Sequence, residues 1–128
     1  MQNIKKITAV FAVLLVAMLA LTSCNKDITS SSNITYSLFN FSGVDSDLRS
    51  NVEAITQATI DKYKVTIEGQ TIKSDEALTK IAVNLHSNLK YYLTTSEIQT
   101  LVARNAYLEV YVGGKNNKVI QQFSSLLK

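Results

Sequence analysis

The sequence contains no proline, no tryptophan, one cysteine, one histidine and four glycines in 128 residues. Each scarcity excludes something. A lone cysteine cannot form a disulfide within the chain, so a stable fold has to come from a packed core. One histidine and one cysteine fall short of the ligand sets that zinc sites use, and no metal or other cofactor is expected. Proline gathers in turns and at element ends, so its absence points to a chain made mainly of regular elements. No G-x-S-x-G turn is present to offer a nucleophile. Gly113-Gly114-Lys115 lacks the longer glycine-spaced frame of a phosphate loop and reads as a hairpin turn.

What is present is most distinctive at the N-terminus. Lys5 and Lys6 close a short positive region, and residues 7–21 form an apolar stretch broken only by Thr8. That order is the n-region and h-region of a secretory signal. The apolar stretch runs into Leu21-Thr22-Ser23-Cys24 and then into polar Asn25-Lys26-Asp27. These four residues resemble the lipobox of bacterial lipoprotein precursors, with an aliphatic residue at Leu21, modest residues at Thr22 and Ser23, and the cysteine at Cys24. The resemblance implies that residues 1–23 are removed and that the Cys24 thiol carries a diacylglyceryl group. Two or three acyl chains anchor a protein stably, whereas one holds it only marginally. The alternative is an uncleaved membrane helix, since the uncharged run over 7–25 is just long enough to span a bilayer. Asn25 stands where an aspartate would resemble the inner-membrane retention signal of enteric bacteria, so an outer-membrane location is favoured in a diderm organism. Lys26-Asp27 is similar in part to a surface-export signal of Bacteroidota lipoproteins, without the second acidic residue at Ile28.

Removing the leader changes the charge. The full sequence has 13 Lys and Arg against 10 Asp and Glu. Without Lys5 and Lys6 the balance is 11 against 10, a net charge of +1 from Cys24 onward. A nucleic-acid partner is therefore not expected, because the basic excess that phosphate binding needs is missing. The 105 residues from Cys24 onward suit one core and are too few for two.

Along that chain, residues 24–33 read as the lipidated N-terminus and a flexible polar tether, and 34–128 as one small domain. Residues 34–41 are dense in β-formers and predict a first strand. Ser42-Gly43-Val44-Asp45 offers a capping-box start to a helix running to about Lys62, with Leu48, Val52, Ile55 and Tyr63 on one face. Alternation over 63–68 predicts a second strand ending at Gly69, with 70–73 open to a return pairing. Ser74 opens the clearest helix, striped by Leu78, Ile81, Ala82, Leu85, Leu89 and Tyr92. Thr94 and Glu97 form a capping box, with Leu93 and Ile98 as a hydrophobic staple. Tyr107 to Val112 and Lys118 to Ser124 predict a terminal hairpin; the alternative for the last element, 118–127, is a short helix ending in Leu126-Leu127. The order β-α-β-α-α-β-β predicts an α+β fold, a mostly antiparallel sheet with two or three helices on one face.

Candidate functional residues are few. His86 lies at the edge of the Leu85 and Leu89 stripe, where a structural histidine is the simpler reading. Asp45, Asp47, Asp75 and Glu76 fall in first turns of helices, where the macrodipole favours negative charge. With Leu108, Val110 and Val112 facing the helices, Tyr107, Glu109 and Tyr111 line the other sheet face, a candidate binding surface. The expected function is a membrane-anchored envelope lipoprotein whose small domain binds a protein or small ligand and is not an enzyme. A small periplasmic enzyme or enzyme inhibitor is the alternative.

Overall fold

The longest apolar stripes in the chain have helical spacing, and they set the architecture. Leu78, Ile81, Ala82, Leu85 and Leu89 recur at steps of three and four, and all five are buried. Each large aliphatic side chain so removed from water stabilises the fold by roughly 1.5–3 kcal/mol. The computed structural model describes residues 25–128; the leader and Cys24 lie outside the described residues. In chain order the elements are β1 (Asp27–Ile28), β2 (Ile34–Phe39), α1 (Ser46–Thr66), β3 (Ile72–Lys73), α2 (Ser74–Tyr92) and α3 (Thr95–Ala103). They are followed by β4 (Tyr107–Val112), β5 (Lys118–Gln122) and a closing 3₁₀ helix (Phe123–Leu127). The fold is α+β.

Two antiparallel sheets form: β2-β4-β5 with β4 central, and a small ribbon of β1 with β3. In the larger sheet Ile34 pairs with Val112, Leu38 with Leu108, and Val110 with Val119. The strand period of two therefore sends Leu108, Val110, Val112 and Val119 to one face, where all are buried. Against that layer α2 packs on β4 and β5, α1 lies along α2 and reaches β2, and α3 packs on the 3₁₀ helix.

Local signals at α3 act as their chemistry requires. The Thr94 hydroxyl accepts from the Glu97 N–H at 3.1 Å, and the Glu97 carboxylate accepts from the Thr94 N–H at 2.8 Å. Leu93 and Ile98 are both buried, completing the staple. At the other end Asn105 takes φ 55, and the Ala106 N–H donates to the Leu101 carbonyl while the Asn105 N–H donates to that of Val102. Those two bonds are a Schellman ending, with asparagine tolerating the left-handed position.

Several expectations are corrected. Residues 63–66 are not a strand but the last turn of α1, because Tyr63 and Ile67 are four apart and both buried, whereas Val65 is 69 % exposed. The alternation of β-branched residues imitates a strand over a stretch too short to resolve the period. The pairing partner of β3 is the segment read as a tether: Asp27 faces Lys73, Ile28 faces Ile72, and Ile28 is buried. The Ser42 capping box does not form; Asp45 is the N-cap and its side chain makes no capping bond. Tyr92 leaves the α2 stripe and is 65 % exposed. The C-terminal element combines both readings, a strand through Gln122 and then a 3₁₀ helix with Phe123 and Leu126 buried.

Candidate functional site

The sheet face expected to be open is mostly satisfied by its own side chains. Tyr111 and Glu109 are 6 % and 7 % exposed, and Tyr107 is half-buried. The Tyr111 hydroxyl donates to Glu109 Oε1 at 2.6 Å, and Lys118 Nζ lies 3.2 Å from Oε2. Tyr107 stacks on Phe39 across the β2–β4 pair, with ring centroids 4.9 Å apart. Burial, and then the bond to Glu109, push the Tyr111 phenol above its ordinary value. A carboxylate held by one phenol and one ammonium inside a strand face is accounted for as a closed network. The structure thus brings Tyr111, Glu109 and Lys118 together, with Tyr107 beside them in a separate aromatic stack.

His86 is buried on α2, and burial followed by the Lys90 charge lowers its pKa, so the imidazole is neutral near pH 7. Asp47 lies in the first turn of α1, and Asp75 and Glu76 in that of α2. Gly113 and Gly114 occupy the hairpin turn, where φ values of 75° and 150° suit glycine. Among the described residues no group of three His, Cys, Asp or Glu side chains could hold a metal ion. No described helix is long and apolar enough to cross a membrane.

A concave site lies elsewhere, along the seam between α1 and α2. These helices are joined by a short connection and pack side by side. Short side chains at Thr59, Thr66, Asn84, Ser87 and Asn88 fail to fill the valley between them, leaving a groove of about 480 Å³. Tyr63 and Ile67 form its apolar floor, and Lys62, Lys80 and Glu76 bring charge to it. The Tyr63 phenol is raised above its ordinary value by burial and then by Glu76. Asn88 Nδ2 donates to Thr59 Oγ1 at 2.9 Å across the seam, and that hydroxyl in turn donates to the Ile55 carbonyl at 2.8 Å. A second hollow of about 340 Å³, lined by Ala54, Ile55, Ala58 and Tyr92, shares Lys62 and Asn88 with the first.

The lining is amide, hydroxyl and ammonium, with one carboxylate. Such a set can donate and accept hydrogen bonds around a polar ligand over an apolar floor. Of these residues only Glu76 stands out in the sequence, as one of the first-turn carboxylates. The available signal was the spacing of Asn84, Ser87 and Asn88, three short polar residues on one flank of an otherwise aliphatic helix. No protein-family model, curated protein or solved structure matches the chain.

Proposed function

We propose that the protein is an envelope lipoprotein, anchored outside the cytoplasm through Cys24, whose domain binds a polar ligand in the groove between α1 and α2. The anchoring half rests on the leader and Leu21-Thr22-Ser23-Cys24. The observation that carries the binding half is the lining itself: Asn84, Ser87, Asn88 and Thr66 border a groove floored by Tyr63 and Ile67. Amides and hydroxyls around an apolar floor suit a ligand rich in hydroxyl and amide groups, such as a glycan strand of the envelope. Lys62 and Lys80 add affinity for an acidic substituent on it. Binding is favoured over catalysis because the lining offers neither an activated nucleophile nor a neutral imidazole poised beside one.

Two measurements test the two halves. Mass spectrometry of the protein isolated from membranes should find residues 1–23 removed and a diacylglyceryl mass on Cys24; an unmodified Cys24 refutes the anchoring. Titration of the isotope-labelled protein with soluble peptidoglycan fragments should shift the side-chain amides of Asn84 and Asn88. If those resonances stay put while others move, the groove is not the site.

A further inference from the structure

We infer that the domain is not loosely tethered but clamped against the lipid surface, with the β1–β3 ribbon and the turn before it as the membrane-apposed face. The inference rests on the lipoprotein reading above and deepens it. From Asn25 onward the backbone is bonded to the domain. The Asp75 N–H donates to Asn25 Oδ1 at 3.2 Å. The Ser74 N–H donates to the Lys26 carbonyl at 2.7 Å, and the Lys26 N–H returns to Ser74 Oγ at 3.0 Å. Asp27 and Lys73 form an ion pair at 2.8 Å, and Ile28 is buried. Residues 25 and 26 thus satisfy the first N–H groups of α2, which a helix cannot satisfy within itself. Those bonds occupy the slack that a tether needs.

Cys24 is one peptide link, about 3.8 Å between Cα atoms, from a residue held in this way. A free nine-residue coil would instead give a root-mean-square reach of roughly 15–18 Å. The lipid therefore leaves the domain at the N-terminal end of α2. The exposed residues around that point include Lys26, Asp27, Glu68, Gln70, Thr71 and Lys73. Lys26 and Lys73 offset Asp27 and Glu68, while Asp75 and Glu76 in the first turn of α2 leave the patch acidic, so it meets the headgroups through hydrogen-bonding groups rather than by charge attraction. Val65, 69 % exposed, adds an apolar contact just before this turn. Among the described residues the other large exposed apolar ones, Tyr91, Tyr92 and Leu127, belong to the far end of the domain, where Lys90 bonds the Lys128 carbonyl. The 19 residues of α2 put that end about 28 Å away. The groove, bordered by Gln70 and Ile72 at one end, opens at headgroup level and runs outward.

The absence of tryptophan supplies the test. Thr71→Trp and Tyr91→Trp, each at an exposed position, introduce a unique donor at either end of α2. The full precursor is expressed, and the mature protein is reconstituted in phosphatidylethanolamine and phosphatidylglycerol vesicles bearing dansyl headgroups. Energy transfer from position 71 should exceed that from position 91 several-fold. A flexible Gly-Ser insertion of about twelve residues between Cys24 and Asn25, adding roughly 20 Å of reach, should bring the two close to equal. Equal transfer without the insertion overturns the clamp while leaving the anchor in place. Protein that does not float with the vesicles overturns the lipoprotein reading, and the clamp falls with it.

Discussion

Replacing Tyr111 by Phe isolates the network on the outer face of the sheet. The ring and its buried area remain, and only the hydroxyl that donates to Glu109 Oε1 at 2.6 Å is lost. A hydrogen bond to a charged group contributes about 1.5–3 kcal/mol. Lys118 remains 3.2 Å from the other carboxylate oxygen, but its side chain is 40 % exposed, so solvent screens the compensation it gives. The expected cost is therefore about 2 kcal/mol, which for a domain of this size lowers Tm by roughly 8 °C or more. Urea unfolding should show a lower midpoint with an unchanged slope.

A double-mutant cycle sharpens the test. Glu109→Gln alone should also destabilise, and Tyr111→Phe with Glu109→Gln should cost less than the two added, with a coupling of about 1 kcal/mol or more. The pH dependence has a fixed sign. Burial and Glu109 raise the native phenol, so its contribution is intact below the unfolded value near 10 and is lost as pH rises through the higher native one. Tyr111→Phe should soften the alkaline loss of stability, with Tyr63 and Tyr36, also raised by burial, retaining part of it. A variant within about 0.5 kcal/mol of the parent, or strict additivity with Glu109→Gln, would refute a structural role for the network and return these residues to candidacy as a binding face.

Three further outcomes follow from local geometry. Gly43 has φ +80°, and a Cβ there would lie 2.6 Å from a guanidinium nitrogen of Arg104, which donates to the Ser42 and Gly43 carbonyls; Gly43→Ala should cost about 1–3 kcal/mol by thermal melting, and less in an Arg104→Ala background. Thr94→Ala removes the capping box of α3 and should cost about 1 kcal/mol in urea, with Thr94→Ser recovering most of it. Burial and Lys90 lower the native pKa of His86, so stability is full above the unfolded value near 6.5 and falls as pH drops below it toward the lower native one; His86→Gln should flatten that slope in urea midpoints measured on the acid side of neutrality.

Legibility from sequence followed the strength of each local code. The α2 stripe, the Thr94 capping box and the Gly113-Gly114 hairpin were readable because period, cap and turn chemistry agree there with the final packing. The end of α1 was not, since Tyr63-Lys64-Val65-Thr66-Ile67 fits both periods and only tertiary burial of Tyr63 and Ile67 decides between them. Thr56 and Thr59 were unreadable as core residues for a different reason. Their hydroxyls donate to the Val52 and Ile55 carbonyls four residues back, which removes the polar cost of burying them. The β1–β3 ribbon joins residues 27 and 73, a pairing that two-residue strands cannot announce in advance. The groove was invisible because it is made of what two helices fail to fill, a property of the pair rather than of either sequence.

That failure to fill is itself informative. The core side of α2 is aliphatic, with Leu78, Leu85 and Leu89 fully buried, while Asn84, Ser87 and Asn88 stand on the flank that meets α1. On α1, Ala54, Ala58, Thr59 and Thr66 line the seam with short side chains, between the larger Ile55, Lys62 and Tyr63. Leucine or methionine at any of these sites would bury additional apolar area at roughly 25 cal/mol per Å² and favour the helix at least as well as Asn, Ser or Thr. The chain forgoes that gain at these positions on both helices. An isolated polar residue on a helix flank needs no explanation, but a shared valley of short ones, spanned by the bond from Asn88 to Thr59, is a departure from the most stable packing. Departures of that kind concentrate where a surface is kept for a ligand.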